Sequence, residues 1–205
     1  MKTRNLFHDK LNCQDLICQH MSCTNVNAKK KHYVQCVTDP KTDLKFCYTQ
    51  LFYKKQPQML VTTPPMICPF GINQQGSNFK MSLQFTNYKS DSVMNSFIQF
   101  IQECEYKQME LLGLDEDDSD LFVSQIKHDK SGKYDPNLEI KVPFSYNRFQ
   151  CDVYSDSYEG VGIMNIGKFS KVQCDIYLDK IWKYNDNYIS KWKVKMIHLL
   201  QRVNT

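Results

Sequence analysis

The feature that most constrains the fold is a change of period along the chain. From Lys31 to Phe85, and again from Leu138 to Leu200, apolar residues recur every second position; one stretch in between switches to a helical period. In LKFCYTQLFY, Leu44, Phe46, Tyr48 and Gln50 face opposite to Lys45, Cys47, Thr49 and Leu51, the pattern of a strand half exposed to solvent. YVQCV, QMLVTT and FKMSLQF read the same way, and Pro64 and Pro65 stop QMLVTT because proline donates nothing to a ladder. FGINQQGSN supplies turn residues. Later come LEIKVPF, RFQCDVYS, KVQCDIYL and the long run YISKWKVKMIHLL, with LFVSQIK as a short strand or helix before them. In that last run Ile189, Lys191, Lys193 and Lys195 oppose Ser190, Trp192, Val194 and Met196, which predicts one face of nearly pure lysine.

The helical stretch is capped by Asp91 or Ser92, carries Val93, Phe97, Ile98, Ile101 and Cys104 as its stripe, and stops at Gly113. Strands, one helix, then strands predict a mainly β (α+β) chain: a mostly antiparallel sheet, closed or strongly curled, with the helix over one end or face. A doubly wound fold would need more helices. Residues 1–30 read as a cysteine-rich extension, with Cys13, Leu16, Ile17, His20 and Met21 on one helical face. NAKKK reads as a linker, and residues 31–205 as the domain.

Charge narrows the function. The formal net charge is +4, yet residues 81–120 hold two lysines against nine acids, a net of −7, leaving +11 for the rest. A basic body suggests a polyanionic partner; a solvated lysine surface is the plainer alternative. The cations are 23 lysines and three arginines, Arg4, Arg148 and Arg202. Arginine reads guanine edges in bidentate fashion, whereas lysine is a mobile point charge suited to phosphates, so backbone tracking is favoured over base reading.

No phosphate loop, GxSxG elbow or HExxH is present, and none of the five histidines has a recognisable acid or nucleophile spacing, so catalysis is not expected. Asp115, Glu116, Asp117, Asp118 and Asp120 could hold a divalent cation but lack the glycine and distant glutamate of a calcium loop; an exposed acidic loop is the simpler reading. Cys13, Cys18, His20 and Cys23 are zinc-ligand types, yet C-x4-C-x-H-x2-C departs from paired CxxC knuckles, and three of the four fit a buried or semi-buried helix, which is the simpler reading. No cofactor is expected. The opening MKTRNLFHDK lacks an apolar signal core, and no run of 18 apolar residues exists. An intracellular chain with reduced thiols and no membrane partner is therefore expected.

Aromatics and lysines interleave on the expected strands: Lys45 to Tyr48, Phe52-Tyr53-Lys54-Lys55, Lys133-Tyr134, Tyr146 to Phe149, Trp182-Lys183-Tyr184. Aromatic faces stack unpaired bases while lysines neutralise phosphates; alternatively the rings fill a core and the lysines face water.

The succession LVTTPPMICPFGI (Leu60 to Ile72), FKMSLQF, a helix, KSGKYDPNLEIKVPF (Lys130 to Phe144), RFQCDVYSD, Ile181-Trp182 and a closing Trp192-Lys193-Val194 strand resembles the OB-fold single-stranded-DNA-binding proteins of large nucleocytoplasmic DNA viruses and related bacteriophage replication proteins, over residues 33–200. The resemblance implies a five-stranded barrel with insertions. It also implies sequence-independent binding of displaced single-stranded DNA, with RNA as the alternative, in viral replication, recombination or repair. The expected groove residues are Lys45, Tyr48, Tyr53, Lys54, Lys133, Tyr134, Arg148, Phe149, Trp182 and Lys193. Expected partners are viral replication proteins and further copies of the chain, in the replication compartment of a host cell. The rival readings are a virion or scaffold protein working through protein contacts, and a small nucleic-acid-processing enzyme built on the acidic cluster.

Overall fold

A computed structural model describes residues 7–18, 35–38, 45–184 and 186–202. In chain order the strands are β1 (Leu16–Cys18), β2 (Gln35–Thr38), β3 (Lys45–Tyr53), β4 (Met59–Thr62), β5 (Met66–Cys68), β6 (Ile72–Gln75) and β7 (Asn78–Gln84). Helix α1 (Ser92–Leu112) follows. Then come β8 (Phe122–Val123), β9 (Ile126–Lys127), β10 (Asn137–Val142), β11 (Phe144–Ser145), β12 (Arg148–Phe149), β13 (Asp152–Tyr154), β14 (Ser170–Leu178), β15 (Lys180–Tyr184), β16 (Asn187–Ile189) and β17 (Lys193–Gln201).

Five of these positions close a ring. β5 pairs with β7, β7 with β10, β10 with β17, β17 with β14, and β14 returns to β5. Every seam is antiparallel except β10–β17, where Lys141 lies beside Lys193 in parallel. This is an OB-like barrel, as the order of patterns implied. The first barrel strand is split. β4 and β5 both pair with β14, at Leu178–Asp175 and Val172–Ser170, and the residues between them include Pro64 and Pro65. Alternation delivers the core: Phe79, Met81 and Leu83 of β7 and Leu138, Ile140 and Val142 of β10 all point inward.

Helix α1 is capped as expected. The Asp91 carboxylate accepts from the Val93 and Met94 amides at 2.9 and 3.0 Å, and Gly113 takes φ 66°. Its buried stripe runs through Met94, Phe97, Ile98, Phe100, Ile101 and Cys104; Val93, expected in the stripe, is exposed.

Four expectations change. INQQ, taken for turn, is a strand, because Gly76 at φ 59° folds β6 back on β7. The run YISKWKVKMIHLL is two strands in two sheets, β16 and β17, interrupted at Ser190–Trp192. Its lysine face holds as far as Lys195, with Ser190, Trp192 and Val194 buried opposite, but the alternation breaks there and Met196 is not on the buried face. β17 skips Lys195 opposite Asp175/Ile176, and this bulge reverses the side-chain parity, so Val194 is buried and then Ile197 and Leu199. Finally, the helical face expected from Cys13 onward is a short 3-10 turn, Cys13–Asp15, running into β1.

The described part of the N-terminal segment is packed into the fold. Leu16 and Cys18 are buried, β1 pairs with β3, and Cys13 meets Cys104 of α1 at 2.8 Å between sulfurs. Cys13, Cys18, Cys68, Cys104, Cys151 and Cys174 are free thiols, and burial pushes Cys18 and Cys68 up to about 11. Leu16 has 0% exposure, so Leu16→Ala should lower unfolding free energy by about 2–5 kcal/mol in a denaturant titration. An undocked extension would leave the midpoint where it was.

Candidate nucleic-acid interface

Two neighbouring surfaces carry the cations and rings. The first lies on the outside of the barrel. Outward positions of β7 and β10 place Lys80 opposite Lys141, and Lys80 pairs with Glu139 at 3.0 Å. With Gln75, Asn78, Gln125 and Lys191 they line a cleft of about 130 Å³, with Phe79 on its wall. Lys193 is next to Lys141 across the parallel seam, but its ammonium is held by both oxygens of Asp179 at 2.7 Å. No acid lies within ion-pair distance of Lys141 or Lys191 among the described residues. Burial first, then the fields of Lys193 and Lys191, pull the Lys141 ammonium below the usual lysine range. The cleft therefore holds positive charge that the fold itself does not neutralise.

The second surface belongs to the sheet β1–β3–β15–β16–β8, with β2 on β3. Register sets Trp182 against Tyr48 and Lys180 against Gln50 on one face. The Trp182 and Tyr48 rings lie 4.8 Å apart, and the Lys180 ammonium sits 4.3 Å from the Tyr48 centroid and 5.7 Å from that of Trp182. Tyr184, at the far end of the same face of β15, is exposed. Opposite, Thr49, Leu51 and Ile181 are buried.

The expected groove residues scatter. Tyr48 and Trp182 come together on the second surface. Lys45 opens β3 against Thr38; its side chain lies outside the described residues. Tyr53 is buried, its hydroxyl accepting from the Asn12 amide at 3.2 Å, so its ring fills the core and cannot stack a base. Lys54 sits in the tight turn after β3 and pairs with Asp15 at 3.2 Å. Lys133 and Tyr134 belong to a loop before β10, fixed by the Asp129 carboxylate, which accepts from the Lys133 and Tyr134 amides and the Ser131 hydroxyl. Those bonds, the Ser131 one foremost, hold the Asp129 carboxyl below its usual range. Arg148 is exposed on β12; Phe149 packs on Phe79 and Phe144 at 4.8 and 5.1 Å. Lys193 is committed to Asp179.

Sequence reasoning missed Lys80, Lys141, Lys180 and Lys191. The outward phase of Lys80 and Lys141 was visible in FKMSLQF and LEIKVPF; their pairing across one seam was not.

His20 and Cys23 lie outside the described residues, and Cys13 is turned toward Cys104. Among the described residues no group of three or more His, Cys, Asp or Glu side chains is placed to hold a metal ion. The Asp115 carboxylate is spent on the Asp117 and Asp118 amides at 3.1 and 3.2 Å.

Because the fold depresses the Lys141 ammonium, folding is opposed while that group is charged, and the opposition fades as pH rises through its folded pKa toward the unfolded value. Lys141→Met should therefore raise the melting temperature near neutral pH, by at most about 3 °C after solvent screening is allowed for. The gain should vanish above the ordinary lysine pKa. A melting temperature lowered at neutral pH would show that packing of the lysine stem outweighs its charge.

No family model matches the chain, and no curated protein matches it. Among solved structures it is similar to gp2.5, a single-stranded DNA binding protein encoded by bacteriophage T7, with TM-score 0.50 and 14% sequence identity over 72% of this chain and 89% of that one. It is also similar to the single-stranded DNA-binding protein of bacteriophage Enc34, with TM-score 0.49 and 11% identity over 85% of this chain and 92% of that one. A structure of the Enc34 protein in complex with single-stranded DNA gives TM-score 0.47 and 12% identity, over 76% and 92%. The likeness to gp2.5 is one of fold.

Proposed function

We propose that the chain binds single-stranded DNA without sequence preference and without catalysis, in replication, recombination or repair of viral DNA. The observation that carries this reading is the unneutralised lysine pair, Lys141 and Lys191, in a cleft on an OB-like barrel, beside a sheet that presents Tyr48, Trp182 and Lys180 together. Lysines that find no acid in the fold are available to phosphates, and each phosphate neutralised releases counterions. Paired rings under an ammonium offer a π-face to any base, which is why stacking tolerates sequence. The scarcity of arginine agrees with backbone tracking. The fold likeness to gp2.5, itself a single-stranded DNA binding protein, supports the same reading. We assign Lys133, Tyr134 and Arg148, all exposed, as further candidate contacts. Viral replication proteins and further copies of the chain are the partners that fit such a role, inside the host cell's replication compartment. RNA is the alternative ligand.

Binding of oligo-dT measured from low to physiological salt should weaken linearly on a log–log plot, with a slope of about −0.7 per phosphate contacted. Replacing Lys141 and Lys191 together by alanine should flatten that slope by about 1.4. Equal affinity for duplex and single strand would sink the stacking component.

Trp192 is 1% exposed, whereas Trp182 is only partly covered. Saturating oligo-dT should quench intrinsic fluorescence through Trp182, and Trp182→Phe should abolish the change. Unaltered emission from the wild-type chain at saturation would remove the β15 face from the interface.

A further inference from the structure

The turn between β11 and β12 has a conformation that its sequence does not favour. Ser145 pairs with Arg148, so Tyr146 and Asn147 are the two central residues of a tight hairpin, and both have positive φ, 51° and 57°. Asparagine suits that region; a bulky aromatic does not, and Gly or Asn is the ordinary choice for such a turn. The fold nonetheless holds a tyrosine there and leaves it 92% exposed, the most exposed of the large apolar side chains among the described residues. Strain of this kind persists only where the surroundings over-determine it.

They do so here. Below the turn, Phe144 and Phe149 face each other at 5.1 Å and both pack on Phe79, at 4.9 and 4.8 Å. The Gln150 side-chain amide donates to the Ser145 and Arg148 carbonyls at 3.1 and 3.2 Å, and its backbone amide donates to the Pro143 carbonyl at 2.8 Å. The hairpin is thus a braced projection with a ring at its tip and the exposed Arg148 guanidinium beside it.

Its position matters as much as its shape. Phe79, the anvil of the aromatic cluster, also lines the lysine cleft, and β10, which carries Lys141, leads through Pro143 directly into the hairpin. Tyr146 lies five positions after Lys141, a span of at most about 18 Å.

We infer that the β11–β12 hairpin is a separate base-stacking element, in which Tyr146 takes the face of one unpaired base and Arg148 the adjoining phosphate. This rests on the single-strand-binding reading above but assigns a site outside the cleft and outside the Tyr48–Trp182 face.

The strain supplies the test. Tyr146→Gly removes the ring and suits the backbone; Tyr146→Trp keeps a ring. Both are compared with wild type by fluorescence anisotropy on labelled oligo-dT and by thermal melting. The expected result is a loss of about five- to a hundredfold in affinity for Tyr146→Gly with an unchanged or higher melting temperature, and affinity within about twofold of wild type for Tyr146→Trp. Undiminished binding by the glycine variant overturns the assignment and leaves the cleft reading intact. So does failure of tryptophan to sustain affinity while the melting temperature is held. Absence of binding by the wild-type chain overturns both readings at once.

Discussion

β17 is the strand on which the architecture depends. It lies antiparallel to β14 along one side and parallel to β10 and β13 on the other, and only its double pairing converts an open sheet into a closed barrel. Closure removes sheet edges that would otherwise invite pairing with other chains. It also brings β10 and the residues leading into β17 side by side, so that Lys141, Lys191 and Lys193, fifty residues apart in sequence, share one local field. Asp179 offsets one of the three. The remaining charge is a product of the fold rather than of any local run in the sequence.

The second sheet depends on the barrel without sharing a strand with it among the described residues. Its central hairpin, β15–β16, is the connection between barrel strands β14 and β17, drawn out far enough to pair with β3 and β8. The Leu51 amide donates to the Asp179 carbonyl at 2.8 Å where the two meet. The aromatic face and the lysine cleft are therefore held near each other by one short stretch of chain on either side of that hairpin.

What the sequence made legible follows from how local each signal is. Helix α1 was readable because its cap, its stripe and Gly113 lie within one continuous stretch. The barrel strands were readable from alternation. The lysine face of the last run was readable as far as Lys195; beyond it one bulged residue reverses parity and moves Met196 off the buried face, and nothing in KVKMIHLL marks it. Tyr53 looked like Tyr48 in sequence, five positions earlier on the same strand, but the odd difference puts it on the opposite face. Lys193 could not be separated from Lys191 without knowing that Asp179 returns beside it. The N-terminal segment was misread because an apolar spacing of three and four also describes a turn followed by a short strand.

The distribution of sulfur has a practical consequence. Cys68 and Cys174 are buried in the barrel wall, Cys13 and Cys104 at the junction of the N-terminal segment with α1, and burial raises the thiols of Cys68, Cys104 and Cys174. A thiol that is both covered and held protonated is nearly inert toward alkylating reagents. Each becomes reactive only when the structure around it opens. The wild-type chain thus carries two sets of intrinsic chemical clocks, one in the barrel and one at the helix junction. The order in which they are labelled would rank how readily the two parts come apart.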